Sequence, residues 1–171
     1  MFKLFINILI VIGLVVFKIS FLNTLPIFNI LNPVIIFIIF LAITNNKHYI
    51  IMAFVAGYLL DLYSHYTFGI NILSLTSVAI ISNYVYTSVL TSHRFLPLIF
   101  LFFINILLFH SIAIFTISIL SFLKISPPSN LINLETLKII TSEAFYTGAI
   151  IAIFYLINNF LQKKFSGIFL K

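Results

Sequence analysis

The chain of 171 residues is 63% hydrophobic and only 7% charged, whereas a soluble fold of this size needs a mostly polar exterior, so a soluble domain is excluded and an all-α integral membrane protein is expected. A net charge of +6 would suggest a nucleic-acid partner in a soluble chain, but the basic residues lie between or beyond the apolar runs, where the cytoplasmic preference of Lys and Arg explains them without nucleic acid. The absence of cysteine removes disulfides, thiolate metal sites and cysteine nucleophiles together.

The first apolar run, residues 4–22, is broken only by Lys18 and is long enough to cross a core of ~30 Å at ~1.5 Å per residue. Lys3 precedes it, but no small-x-small cleavage pattern follows, so it is expected to stay uncleaved. Asn23, Pro26, Asn29 and Asn32 punctuate a short connection, and Pro33 suits the first turn of a second span, residues 33–44. A polar turn, Asn45-Asn46-Lys47-His48, leads into a third span over 49–63, and residues 64–69 turn the chain into a fourth over 70–90. That run carries Ser74, Ser77, Ser82 and Asn83, residue types expected to hydrogen-bond between helices. His93-Arg94 closes it.

The fifth run, 95–122, contains Asn105 and His110 and is longer than a crossing requires, so it is expected to tilt or to project from the bilayer. Residues 124–142 form the sizeable extramembrane stretch: Pro127-Pro128 blocks helix continuation, and LINLETLKII after Asn130 reads as a short amphipathic surface helix with Glu135 and Lys138 at i, i+3. A sixth span, 143–161, is then opened by Glu143 and ends at Lys163-Lys164. The reading is one membrane domain of six transmembrane helices. With both termini in the cytoplasm, Lys3, Lys47, Arg94, Lys163, Lys164 and Lys171 lie inside, against Lys124 and Lys138 outside, which favours this orientation.

The stretch AFVAGYLLDLYSHYTFGIN, residues 53–71, places an acidic residue inside an apolar run. A carboxylate in hydrocarbon is costly, so Asp61 is expected to face protein or water rather than lipid. On a helix, Ala53, Gly57 and Asp61 share one stripe at i, i+4 and i+8, a packing face or partner interface on which two small residues permit close approach. The alternative is that Gly57 merely packs and Asp61 sits among headgroups at the helix end. Lys18 and Asp61 each lie about 21–23 Å from the basic inner ends of their helices, so an ion pair between them is expected; in the competing arrangement Lys18 snorkels to the outer headgroups while Asp61 caps into the turn at Ser64 to Gly69.

Catalytic patterns are not found. His48, His65, His93 and His110 show no i, i+3 or i, i+4 pairing and no HExxH, so no metal site is expected. Asp61, Ser64 and His65 lack the glycine pattern of a nucleophile elbow, and no phosphate loop or dinucleotide fingerprint occurs, so neither a catalytic residue nor a cofactor is assigned.

The order of a proline-led helix at Asn32-Pro33, a short basic loop and then Gly57, Asp61 and Gly69 in a Leu-rich setting resembles the rod shape-determining MreD family. The resemblance extends over nearly the whole chain and is strongest over about residues 30–92; the last helix, which lacks an interior proline, departs from the pattern. It implies a non-enzymatic inner-membrane scaffold of the bacterial cell-elongation machinery that binds the single-span protein MreC. Through MreC it would connect with the MreB filament and with the RodA and penicillin-binding synthases of lateral peptidoglycan synthesis. The family is thought similar in structure to the substrate-binding subunits of energy-coupling-factor vitamin transporters, which supply the alternative function. An enclosed pocket of converging polar groups would mark that alternative, and the polar residues here are dispersed.

Overall fold

A computed structural model describes residues 2–22, 32–44, 47–64, 67–88, 95–123 and 136–149. Among these residues every regular element is helical. Helix α1 (Phe2–Phe17) widens into a π turn over Lys18–Leu22, and α2 (Pro33–Ile43), α3 (Tyr49–Tyr63), α4 (Ile70–Ser88) and α5 (Phe95–Phe122) follow. Residues 136–149 form a further helix, α6. Pro33 opens α2 at the position where a missing N–H costs nothing, and Thr44 closes it, its backbone N–H and its Oγ1 both donating to the Phe40 carbonyl.

The inward and outward faces of these helices differ in side-chain size rather than polarity. On α3 the buried stripe is Met52, Ala53, Ala56, Gly57, Leu60 and Asp61, while Phe54, Tyr58 and Leu62 are exposed. On α4 the buried stripe includes Ser74, Leu75, Val78, Ala79 and Ser82, with Leu73, Ile80 and Tyr84 outside. This sorting follows from packing in an apolar solvent, where no hydrophobic force separates inside from outside and close backbone approach is what holds helices together. In consequence α4 lies at the centre, packed most extensively on α3 and also on α5 and α2, while α1 lies on α3 and α2. Val11 and Val15 of α1, Ile35, Ile38 and Ile39 of α2, Phe102 and Ile106 of α5 and Ala144 of α6 join one core.

Among the described residues three helices are long and apolar enough to cross a membrane: Leu4–Leu22, Ile70–Ser88 and Ile99–Phe122. Helices α2 and α3, with 11 and 15 residues, are apolar but extend only about 16 and 22 Å, short of a hydrocarbon core of ~30 Å. The last helix departs from expectation in a different way. Its described part begins at residue 136, so the amphipathic surface segment and the final helix are not separated at Glu143. Glu143 is an interior residue of α6 and not its first. Residues 124–135 and 150–171 lie outside the described residues, as do His65 and His93.

Candidate functional site

The corner between α3 and α4 is built around Asp61. Its backbone carbonyl accepts from the Ser64 N–H and Ser64 Oγ, at 3.4 and 3.2 Å, which closes α3. Its side chain opens α4: Oδ2 accepts from the Gly69 and Ile72 amides at 3.0 and 3.1 Å, and Oδ1 from the Asn71 amide at 3.0 Å and Asn71 Nδ2 at 2.9 Å. The first N–H groups of a helix have no partner within it, and the helix dipole there favours negative charge. A carboxylate delivered from the end of the preceding helix meets both requirements. Asp61 is accordingly only 4% exposed, its carboxylate turned into the protein.

The two glycines of the motif serve the same corner. A Cβ on Gly57 would lie 2.5 Å from Ile72 Cα and 2.8 Å from Ile72 N, so α3 and α4 touch backbone to backbone one turn before Asp61 reaches the α4 amides. Gly69 has φ +104°, a conformation that side-chain-bearing residues rarely adopt, and this lets its N–H turn toward Asp61. Phe68 closes the outside of the corner edge-on to Tyr58, with ring centroids 5.6 Å apart. Ala53, Gly57, Asp61 and Gly69 are thus brought together as one internal junction. Gly57 meets the Ile72 backbone of α4 and Ala53 is buried within the chain, so their stripe is not an open surface.

The ion pair expected between Lys18 and Asp61 is not among the salt bridges of the described residues. Although α1 does pack on α3, Asp61 turns to α4, whose amides satisfy it. Glu143, 6% exposed, accepts or shares a proton with His110, Nε2 to Oε2 at 2.6 Å. His110 lies near the midpoint of the apolar stretch Ile99–Phe122, about 17 Å from either end. A second polar site therefore sits deep in the bundle, made by α5 and α6.

Sequence reasoning missed this site because it placed Glu143 at a helix end, where a charge reaches water. The available signal was His110 in the middle of the longest apolar run together with Glu143, Ala144 and Thr147 at i, i+1 and i+4, a small and polar stripe now seen to be buried. The hydroxyls of α4 also behave differently from expectation. Ser74 and Ser82 donate to the carbonyls of Ile70 and Val78, four residues back in their own helix, whereas Asn83 does bridge helices, Nδ2 donating to the Ala42 carbonyl at 2.8 Å. Asn105, 1% exposed, has no hydrogen-bond partner for either side-chain atom among the described residues. No group of three or more His, Cys, Asp or Glu residues among the described residues is arranged to hold a metal ion.

The clearest cavity among the described residues, about 260 Å³, is a groove between α1 and α3 lined by Ile12, Phe54, Val55, Tyr58 and Leu59. Its walls are apolar, unlike a site for a polar small molecule. Comparison with protein-family models, with curated proteins and with solved structures finds no significant match to this chain.

Proposed function

We propose that the chain is a non-enzymatic, six-span scaffold of the bacterial inner membrane, similar to MreD, that binds an MreC-like single-span protein. Through that partner it joins the MreB filament, RodA and a penicillin-binding synthase in the complex that elongates the cell. The reading is supported by one observation above others: Gly57, Asp61 and Gly69, the residues on which the resemblance rests, belong to a single interlocked corner whose job is to fix two helices rather than to turn over a substrate. Because α4 lies against Gly57 and Ala53 is buried, the partner is received on another face of the bundle.

Crosslinking in native membranes, followed by identification of the captured protein, tests the proposal. Recovery of an MreC-like protein is expected. Recovery of the coupling subunit of a transporter, or a stoichiometric vitamin in the purified sample, would instead favour the substrate-binding subunit of an energy-coupling-factor system. The orientation in this proposal has both termini in the cytoplasm. An impermeant thiol reagent applied to intact cells is then expected to label Ser129→Cys and not Ser166→Cys, both outside the described residues, and the opposite pattern would reverse the topology.

A further inference from the structure

We propose that the contact between His110 of α5 and Glu143 of α6 is a latch: it seats α6 on a body formed by α1 to α5, and when it is broken α6 leaves that body without unpacking it.

The joints of the body lie within it. Helix α4 packs on α3, α5 and α2, and α1 packs on α3 and α2. The Asp61 corner ties α3 to α4, and the bond from Asn83 to the Ala42 carbonyl ties α4 to α2, both made by residues of those helices alone. By contrast, α6 enters the core at Ala144, whose side chain is a single methyl group. The buried positions of α6 are Glu143, Ala144 and Thr147, while Leu137, Ile139, Phe145 and Tyr146 are exposed. In an apolar solvent those outward side chains are as well placed on lipid as on protein, so they do not drive docking.

The hydroxyls of the two helices do not join them. Thr141 and Ser142 donate to the carbonyls of Leu137 and Ile139 in α6, and Ser111, Thr116 and Ser118 to those of Leu107, Ile112 and Ile114 in α5, each within its own helix. His110 and Glu143 reach across instead. Their Nε2 and Oε2 atoms are 2.6 Å apart, the short separation expected when a partner is charged. The two ends of the contact are covered unequally: the His110 side chain is 23% exposed and that of Glu143 8%, so the carboxylate lies inside the joint and the imidazole toward its edge. One rotatable side chain on each helix makes the contact, so it opens by side-chain rotation with no backbone hydrogen bond lost. Either group left alone in hydrocarbon is costly, and this cost holds α6 in its seat. The latch does not depend on which protein the bundle binds.

The full chain contains no cysteine, so single cysteines report each part separately. Thr147→Cys, on the buried face one turn beyond Glu143, reports release of α6, and Ser74→Cys, buried in α4, reports the body. Their labelling by a permeant maleimide is followed in detergent micelles. Glu143→Leu and His110→Leu each leave one polar partner alone, and each is expected to raise the rate at Thr147→Cys about tenfold while Ser74→Cys stays within about twofold of the parent. The double variant leaves neither group alone, so its rate at Thr147→Cys is expected to fall below that of both single variants. Should a leucine variant not fold, Glu143→Gln carries the test: it keeps the shape and a neutral hydrogen bond to His110, and a rise of about threefold at Thr147→Cys is expected. A double variant labelled as fast as either single variant or faster, an unchanged rate at Thr147→Cys in the Glu143 variants, or a rate at Ser74→Cys that rises together with that at Thr147→Cys would overturn the proposal.

Discussion

Replacing Asp61 is expected to be among the most damaging single changes in the chain. Asp61→Leu leaves four donors facing an apolar side chain: the amides of Gly69, Asn71 and Ile72, and Asn71 Nδ2. At the low end of ~1 kcal/mol for each buried donor left without a partner, the loss is about 4 kcal/mol, before the weaker interaction with the α4 dipole is counted. Asp61→Asn separates the contributions. It keeps one oxygen, which satisfies the pair of donors now on Oδ1 or the pair on Oδ2, but its NH₂ group faces the other pair donor to donor, so about half the loss is expected. With ~2–4 °C per kcal/mol for a chain of this size, purified protein in detergent should unfold on the order of 10 °C earlier for Asp61→Leu and roughly 5 °C earlier for Asp61→Asn. An Asp61→Asn protein that unfolds within about 2 °C of the parent would mean that the α4 amides do not depend on this carboxylate, and the account of the corner would be wrong.

Other perturbations of the bundle have defined outcomes under the same assay. Gly57→Ala drives a methyl group into the Ile72 backbone and is expected to cost about 1–3 kcal/mol, with Gly57→Leu worse; wild-type stability of both would contradict the close α3–α4 contact. Gly69→Ala has free space for its methyl group but an unfavourable φ, so a loss of about 1–3 kcal/mol is expected, whereas Gly69→Asn should recover part of it. Were Asn no better than Ala, backbone strain would not be the cause. Asn83→Ala removes the bond to the Ala42 carbonyl and should lower stability by ~0.6 kcal/mol, in contrast to Ser74→Ala, whose hydroxyl bonds only to its own helix and whose loss should fall below that value; the reverse ranking would refute the division.

The helices were legible in the sequence wherever local chemistry punctuates them. Pro33 cannot be preceded by helix hydrogen bonding, the polar residues 45–48 cannot continue an apolar run, and a glycine at 69 permits the turn before α4, so the bounds of α2, α3 and α4 follow from single residues. The importance of Gly57, Asp61 and Gly69 was legible too, and so was a cap by Asp61 on the turn at Ser64 to Gly69 as the alternative to the Lys18 pair, but not its reach to the Asn71 and Ile72 amides of α4. Equal depth in two helices gives Lys18 and Asp61 a chance to meet, yet depth says nothing of the rotation of a helix about its axis, and α4's amides lie where α3 turns the carboxylate. The hidden length of α6 had a related cause. Its first described residues, Thr136 to Ser142, include Lys138, Thr141 and Ser142, which look extramembrane by composition, but a helix continues through polar residues as readily as apolar ones when nothing breaks it.

The two buried carboxylates of α3 and α6 solve one problem by different means, and the difference separates a fixed element from one able to respond. Asp61 is satisfied mainly by backbone amides of the residues that begin α4, groups that carry no titratable proton and cannot turn away without unwinding the helix. Its geometry is therefore tied to the existence of α4, and any change at Asp61 acts on folding. Glu143 is satisfied by the side chain of His110. The two are rotatable side chains on separate helices, so their contact can be broken while every helix stays intact. A membrane protein whose task is to hold partners needs rigid corners, and the α3–α4 junction is one. If it also has to alter how it holds them, the alteration has to run through contacts of the second kind, which among the described residues means the polar seat of α6.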